Sequence, residues 1–135
     1  MKDLKNNVKV SPCAQQALSG TTNVDGAEVD MKGFQSCMFS LCLKTVAATG
    51  LTAEFKLQES DVSGSGFVDV ADANDLIGEA VAIDQDDDDK CFSLGYVGYK
   101  RYVRAVLDVT ANDGTDVISI QASQSHADAK PVEGN

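Results

Sequence analysis

The sequence predicts an all-β protein: an antiparallel β-sandwich or small jelly-roll-like barrel of about seven or eight strands with at most one short helix. Three observations support this fold class. Apolar and polar residues alternate along most segments, turn-forming residues separate the segments, and helical spacing is confined to one stretch. A chain of 135 residues, 43% of them hydrophobic, can bury the core of a single domain.

The candidate strands follow from this alternation. Residues 35–44 place four apolar side chains on one face: Cys37, Phe39, Leu41 and Leu43. The pattern also marks residues 52–58, 67–70, 91–97 and 117–125, and it is strongest in residues 101–110. Counting short segments at 8–10, 14–18 and 27–31 among the candidates, we expect about seven or eight strands.

Two connections have the composition of hairpin turns. Residues 59–66 are rich in Ser, Asp and Gly, so we expect residues 52–58 and 67–70 to pair. Asp113 and Gly114 form an Asp-Gly turn signal, so we expect residues 117–125 to pair back onto 101–110.

Residues 71–82 are the one plausible helix. Asp72 could cap it, and Leu76, Ile77 and Ala80 would share a face. Because Gly78 disfavours a helix, a single turn is an equal alternative.

We expect three regions: an N-terminal arm at 1–10, a single β-sandwich domain at 11–127 and a flexible tail at 128–135. Residues 1–7 are polar and lack the apolar run of a signal peptide, so we expect synthesis in a cytoplasm. The four cysteines, Cys13, Cys37, Cys42 and Cys91, should then stay reduced. Cys37 and Cys91 resemble small core residues, while Cys37 and Cys42 should face opposite sides of one strand.

The charge balance excludes several partners. With 11 Lys+Arg against 21 Asp+Glu, the net charge is −10. Nucleic acids and anionic membranes are bound through clustered cations, so neither is an expected partner. The single histidine, His126, makes a multi-histidine metal centre or a hydrolase the least favoured class. We expect a non-enzymatic protein without a cofactor.

Residues 84–89 form an acidic run, Asp-Gln-Asp-Asp-Asp-Asp. Calcium loops space their carboxylates around a glycine turn, which this run lacks. A solvated loop is therefore favoured over a metal site, for which Asp86 and Asp88 are the weak candidates. Residues 86–90 also match a string that a digestive protease cleaves, which predicts an exposed, cleavable loop.

The basic and aromatic residues cluster in residues 96–104. Such a cluster can bind single-stranded nucleic acid, cover a strand's outer face, or form a protein contact. An acidic chain with one positive patch favours the protein contact, with an acidic partner or a second copy.

Several segments resemble small virion structural proteins of tailed phages and prophages, encoded near the capsid genes. The similar segments are 1–7, 31–36, 55–61, 67–70 and, most clearly, 95–104, Gly-Tyr-Val-Gly-Tyr-Lys-Arg-Tyr-Val-Arg. The acidic run and the four cysteines depart from that pattern. The resemblance implies a particle component on the virion surface, a capsid decoration (cement) protein that binds the major capsid protein. A head-fibre, neck or tail protein and a ligand- or carbohydrate-binding β-sandwich are the alternatives.

Two surfaces are the expected contacts of such a protein. The first is the N-terminal arm, with Lys2, Leu4, Lys5, Val8 and Val10. The second is the patch of Tyr99, Arg101, Tyr102 and Arg104. We expect a homo-oligomer, with a trimer as the first expectation, and an acidic loop that faces outward.

Overall fold

The computed structural model describes residues 3–44 and 46–128, which form two antiparallel sheets packed as a β-sandwich. The strands are β1 (Lys9–Ala17), β2 (Val24–Asp25), β3 (Val29–Asp30), β4 (Phe34–Leu43), β5 (Thr52–Ser60), β6 (Val68–Asp69), β7 (Leu76–Ile77), β8 (Val81–Asp84), β9 (Cys91–Tyr96), β10 (Tyr102–Ala111) and β11 (Val117–Ala127). The all-β prediction is confirmed. The described residues contain eleven strands, more than expected, because the short strands β2, β7 and β8 were not predicted, although the predicted segments 8–10 and 14–18 belong to a single strand, β1.

The first sheet has the strand order β1-β11-β4-β9-β7. The second has the order β2-β10-β5-β6, with β3 also paired to β10 and β8 to β5. The core lies between the sheets, where the inward side chains predicted for residues 35–44 are buried together with Phe55 and Leu107. Burial of these apolar faces is the main term that holds the two sheets together.

One predicted hairpin is confirmed and the other is wrong. Strands β5 and β6 pair, with Gln58 opposite Asp69. Strand β10 pairs with β5, however, and β11 lies between β1 and β4 in the other sheet. Residues 112–116 therefore cross between the sheets, and their Asp113 and Asp116 side chains accept hydrogen bonds from residues 47–50.

The helix considered for residues 71–82 is also wrong. Leu76 and Ile77 form β7 and pair with Tyr96 and Gly95 of β9, while β8 pairs with β5. The pairings of β7 and β8 with their neighbours outweigh the weak helical pattern of this segment, which Gly78 already disfavours. Across the described ranges, no helix is long and apolar enough to cross a membrane.

The structure pairs Cys42 and Cys91 in a disulfide between β4 and β9, where the two residues lie directly opposite each other. The expectation of four reduced cysteines is therefore wrong, as is the core position expected for Cys91, which is exposed. Cys37 is buried as expected, and Cys13 is buried as well. Burial raises the pKa of the Cys13 thiol to about 11 and that of Cys37 to about 12.

The outer faces of the two sheets differ in charge. On the second sheet, Lys56 forms ion pairs with Asp69 and Asp108, and Arg104 lies 3.7 Å from Asp25. On the first sheet, alternation and register place only uncharged strand residues outward, and Lys44 and Asp89 border them at one end. We name these residues the uncharged face: Val10, Pro12, Gln15, Ala17, Ser36, Met38, Ser40, Cys42, Ile77, Cys91, Ser93, Gly95, Val117, Ser119, Gln121, Ser123 and Ser125.

Candidate partner-binding site

The loop at residues 97–101, here named the Tyr99 loop, joins β9 to β10 and carries the most exposed aromatic side chain of the described residues. Tyr99 is 97% exposed. The loop starts from Tyr96, whose ring is fully buried and whose hydroxyl donates to Glu59 Oε2 at 2.7 Å. The same hydroxyl accepts the backbone N–H of Lys100 at 3.0 Å. Burial, followed by the hydrogen bond to Glu59, raises the pKa of the Tyr96 phenol.

The cations of the loop are paired with carboxylates. Arg101 donates to both oxygens of Asp30, from Nε at 3.0 Å and from Nη2 at 2.9 Å. These hydrogen bonds lower the pKa of the Asp30 carboxyl. Lys100 Nζ lies 2.5 Å from Asp61 Oδ2. These ion pairs fix the part of the loop that follows Tyr99, and the Val97 N–H, which donates to the Asp75 carbonyl, fixes the part that precedes it.

Arg104 and Tyr102 lie on the neighbouring strand. The Arg104 guanidinium donates two hydrogen bonds to Gln58 Oε1 at 3.0 and 2.8 Å, and it lies 4.4 Å from the centroid of the Phe67 ring. The Arg101 guanidinium lies 5.1 Å from the Tyr102 centroid. The predicted residues are thus brought together, but as a mixed-charge surface. The positive patch expected from the sequence carries carboxylates as well, because Asp25, Asp30 and Asp61 from distant segments lie against its cations.

A groove runs beside Tyr99. Its volume is about 560 Å³, and it is lined by Met31, Lys32, Phe34, Gln35 and residues 97–101. The groove combines aromatic, aliphatic and polar groups, as a surface that receives side chains of a partner would.

The N-terminal arm forms a second surface. Its first described residues turn on themselves, since the N–H groups of Asn7 and Val8 both donate to the Leu4 carbonyl. Leu4 and Lys5 are exposed and Val8 is half-buried, while Val10 already belongs to β1 and lies on the uncharged face. Lys2 lies outside the described residues. Strands β11 and β4 separate β1 from β9, a distance of about 15 Å at the usual strand spacing.

The acidic loop is largely exposed, and three of its carboxylates accept backbone hydrogen bonds. Asp84 accepts the N–H of Asp86 at 2.8 Å, and Asp87 accepts the N–H of Asp84 and pairs with Lys90. Asp88 accepts the Val46 N–H at 2.7 Å. Within residues 3–44 and 46–128, no group of three or more His, Cys, Asp or Glu side chains is placed to hold a metal ion. Asp86 and Asp88 are not brought into such a group.

His126 makes contacts that the sequence did not predict. Its Nδ1 lies 2.9 Å from Ser36 Oγ and 3.1 Å from Ser125 Oγ, and its φ is 54°. A catalytic histidine is normally oriented by a carboxylate. The hydrogen bonds of the His126 ring within the described part of the chain are instead to these two hydroxyls.

Substituting Gly98 with alanine should disturb the Tyr99 loop. A Cβ at this position would lie 2.6 Å from the Tyr96 hydroxyl oxygen and 2.7 Å from Cζ. The ring is fully buried and held by two hydrogen bonds, so we expect the free energy of unfolding to fall by about 1–3 kcal/mol. Urea denaturation measures the loss. Gly50→Ala is the matched control, because its Cβ would meet only an ordinary contact at 3.5 Å; equal effects of both substitutions would contradict the prediction.

A scan of protein-family models finds no family that matches this chain, and a search of curated proteins finds no significant match.

Proposed function

We propose that this protein is a structural component of a tailed-phage particle, a decoration protein that binds the outside of the mature head and stabilises the shell. The observation that carries the proposal is the exposed Tyr99 on a loop fixed by three sets of polar contacts. Tyrosine offers a large contact area and is enriched among residues that dominate binding energy. Because the loop is already ordered, little conformational entropy is lost when a partner covers it.

The positions of the two surfaces support a bridging role. The Tyr99 loop follows β9 and the N-terminal arm with Leu4 and Lys5 precedes β1; these strands are about 15 Å apart, so one molecule can contact two neighbouring groups of a shell. Binding energy that exists only when those neighbours are in place stabilises the assembled form by mass action. Many copies on a closed lattice multiply the effect.

The acidic loop supports the same orientation. It precedes β9 while the Tyr99 loop follows it, so the two lie at opposite ends of a six-residue strand of about 20 Å. If the Tyr99 end meets the shell, the carboxylates of residues 84–89 face solvent. Their mutual repulsion then keeps decorated particles apart.

Tyr99→Ala should lower the affinity for expanded heads about 30-fold, since truncating a dominant contact costs about 2 kcal/mol. Cosedimentation of the purified protein with expanded heads and with unexpanded proheads measures the affinity. Thermal unfolding should be unchanged, because Tyr99 contacts solvent over almost its whole surface.

Thr115→Ala is the control, at an exposed position beyond the opposite end of β10. Its affinity for heads should equal that of the wild type. Failure of the wild type to bind any head form would contradict the proposal, and electron microscopy that locates it at the neck or tail would favour that alternative.

The groove beside Tyr99 favours one second candidate, a carbohydrate-binding module, because Phe34 and Tyr99 line it together with Gln35. Calorimetry with oligosaccharides, with and without calcium, separates the two functions. Heat of binding that Tyr99→Ala abolishes would support the module.

A further inference from the structure

Three exposed apolar side chains form one row across the first sheet. The register places Val10 opposite Ser123, Ser123 opposite Met38, Met38 opposite Gly95, and Gly95 opposite Ile77. Val10, Met38 and Ile77 are all exposed, and Met38, on the central strand, is 44% exposed. Such clustering on one face is a mark of interaction sites, whereas scattered apolar residues are ordinary.

This row lies within the uncharged face. A face without charge is unusual in so acidic a chain. The molecule carries a net charge of −10, and the outer face of its second sheet is covered by ion pairs. Two copies that approach through other surfaces bring carboxylates together and repel each other. Approach through the uncharged face avoids this repulsion, so charge favours a second copy as its occupant.

The face carries both a depression and, at its border, an exposed side chain of the kind that can fill one. A depression of about 460 Å³ lies in the row, and Gly78, Gly95, Ser93 and Ser123 are among its lining residues. Met38 borders it as a flexible apolar side chain. In a symmetric pair, Met38 of each copy can enter the depression of the other, because a two-fold interface uses the same patch twice.

The area of the uncharged face is sufficient for a weak dimer. Strands β1, β11 and β4 are about 30 Å long and β9 is about 20 Å long, which at the usual strand spacing gives roughly 530 Å² per copy. The total of about 1,050 Å² is in the range of weak, transient interfaces.

We propose that the uncharged face is the interface between two copies of this chain, packed face to face around a two-fold axis near Met38. The pairing goes beyond the proposed function because it requires no particle. It favours an even number of copies, in place of the trimer first expected from the sequence.

Sedimentation equilibrium of the wild type should show a monomer–dimer equilibrium below about 1 mM. Met38→Asp and Met38→Lys should each weaken association about tenfold or more, because like charges would face each other at the axis. An equimolar mixture of the two variants should associate more tightly than either alone. Val68→Asp is the matched control, since Val68 is 59% exposed on the second sheet, and it should associate like the wild type.

A wild type that stays monomeric to about 1 mM would overturn the inference, as would a Met38→Asp variant that associates normally. Circular dichroism checks that each variant is folded. The mixture provides a second check, since an unfolded variant could not restore association.

Head binding is measured in parallel. Loss of head binding by Met38→Asp in a monomeric protein would assign the face to the shell and leave the proposed function standing. Self-association without binding to any head would leave the interface standing and remove the function.

Discussion

Replacing Cys42 and Cys91 together by serine will lower the free energy of unfolding by about 4 kcal/mol. The disulfide closes a loop with a sequence separation of 49 residues. In the chain-entropy model, a loop of that length stabilises the folded state by about 4 kcal/mol, since the cross-link restricts the unfolded chain. The loss corresponds to a fall in Tm of roughly 10 °C for a domain of this size. Differential scanning calorimetry measures both quantities.

A reducing agent provides the control for this substitution. It should lower the Tm of the wild type to that of the double serine variant and leave the variant unchanged. Iodoacetamide should label no thiol before reduction, because Cys13 and Cys37 are buried and their pKa values are raised to about 11 and about 12. Two labels should appear after reduction. Labelling of Cys42 or Cys91 in the untreated protein would contradict the disulfide.

The second large effect is expected for Asp116→Ala. Asp116 is 1% exposed, and its Oδ1 accepts the N–H groups of Ala47 at 2.6 Å and Ala48 at 3.1 Å. Removing the carboxyl leaves these donors without an acceptor, at about 1–3 kcal/mol each. The Oδ2 atom has no hydrogen-bond partner among the described residues, so removing it recovers part of that loss. We expect a net fall of about 3 kcal/mol in the free energy of unfolding, measured by urea denaturation.

Asp113→Ala is the matched control in the same loop. Asp113 accepts hydrogen bonds from the N–H groups of Thr49 and Gly50 and from the Thr49 hydroxyl, but its side chain is exposed. Water can replace the lost acceptor there, so the loss should be clearly smaller than for Asp116. An equal loss at both positions would show that burial does not govern the effect.

Alternation allowed the long strands and their inward faces to be predicted, because the period of a strand is a local property of the sequence. Sheet neighbours are not local. The alternation in β10 and β11 is equally compatible with a hairpin between them. The Asp-Gly turn signal at Asp113 therefore led to the prediction of a hairpin. At the crossing, Asp113 and Asp116 accept hydrogen bonds from residues 47–50, a segment more than sixty residues away, and alternation within one strand cannot indicate such contacts.

The same distinction between local patterns and distant contacts explains which features of the candidate site could be predicted. The sequence analysis named Tyr99 as a contact residue because basic and aromatic residues cluster around it, and the structure places its side chain at the surface. The pairing of Arg101 with Asp30 and of Lys100 with Asp61 depends on the packing of β3 and β5 beside β10, so it was missed. The uncharged face did have a sequence signal. Residues 119, 123 and 125 are all serine at alternate positions of one strand, which indicates an outward face without charge.

The place of β11 in the first sheet has a consequence for biosynthesis. This strand lies between β1 and β4, so the early strands β1 and β4 have no direct pairing with each other. A nascent chain that ends before residue 117 therefore contains both halves of the sheet without the strand that joins them. Ribosome-bound fragments should stay unfolded until β11 emerges, and folding is then slow because most pairings link distant residues.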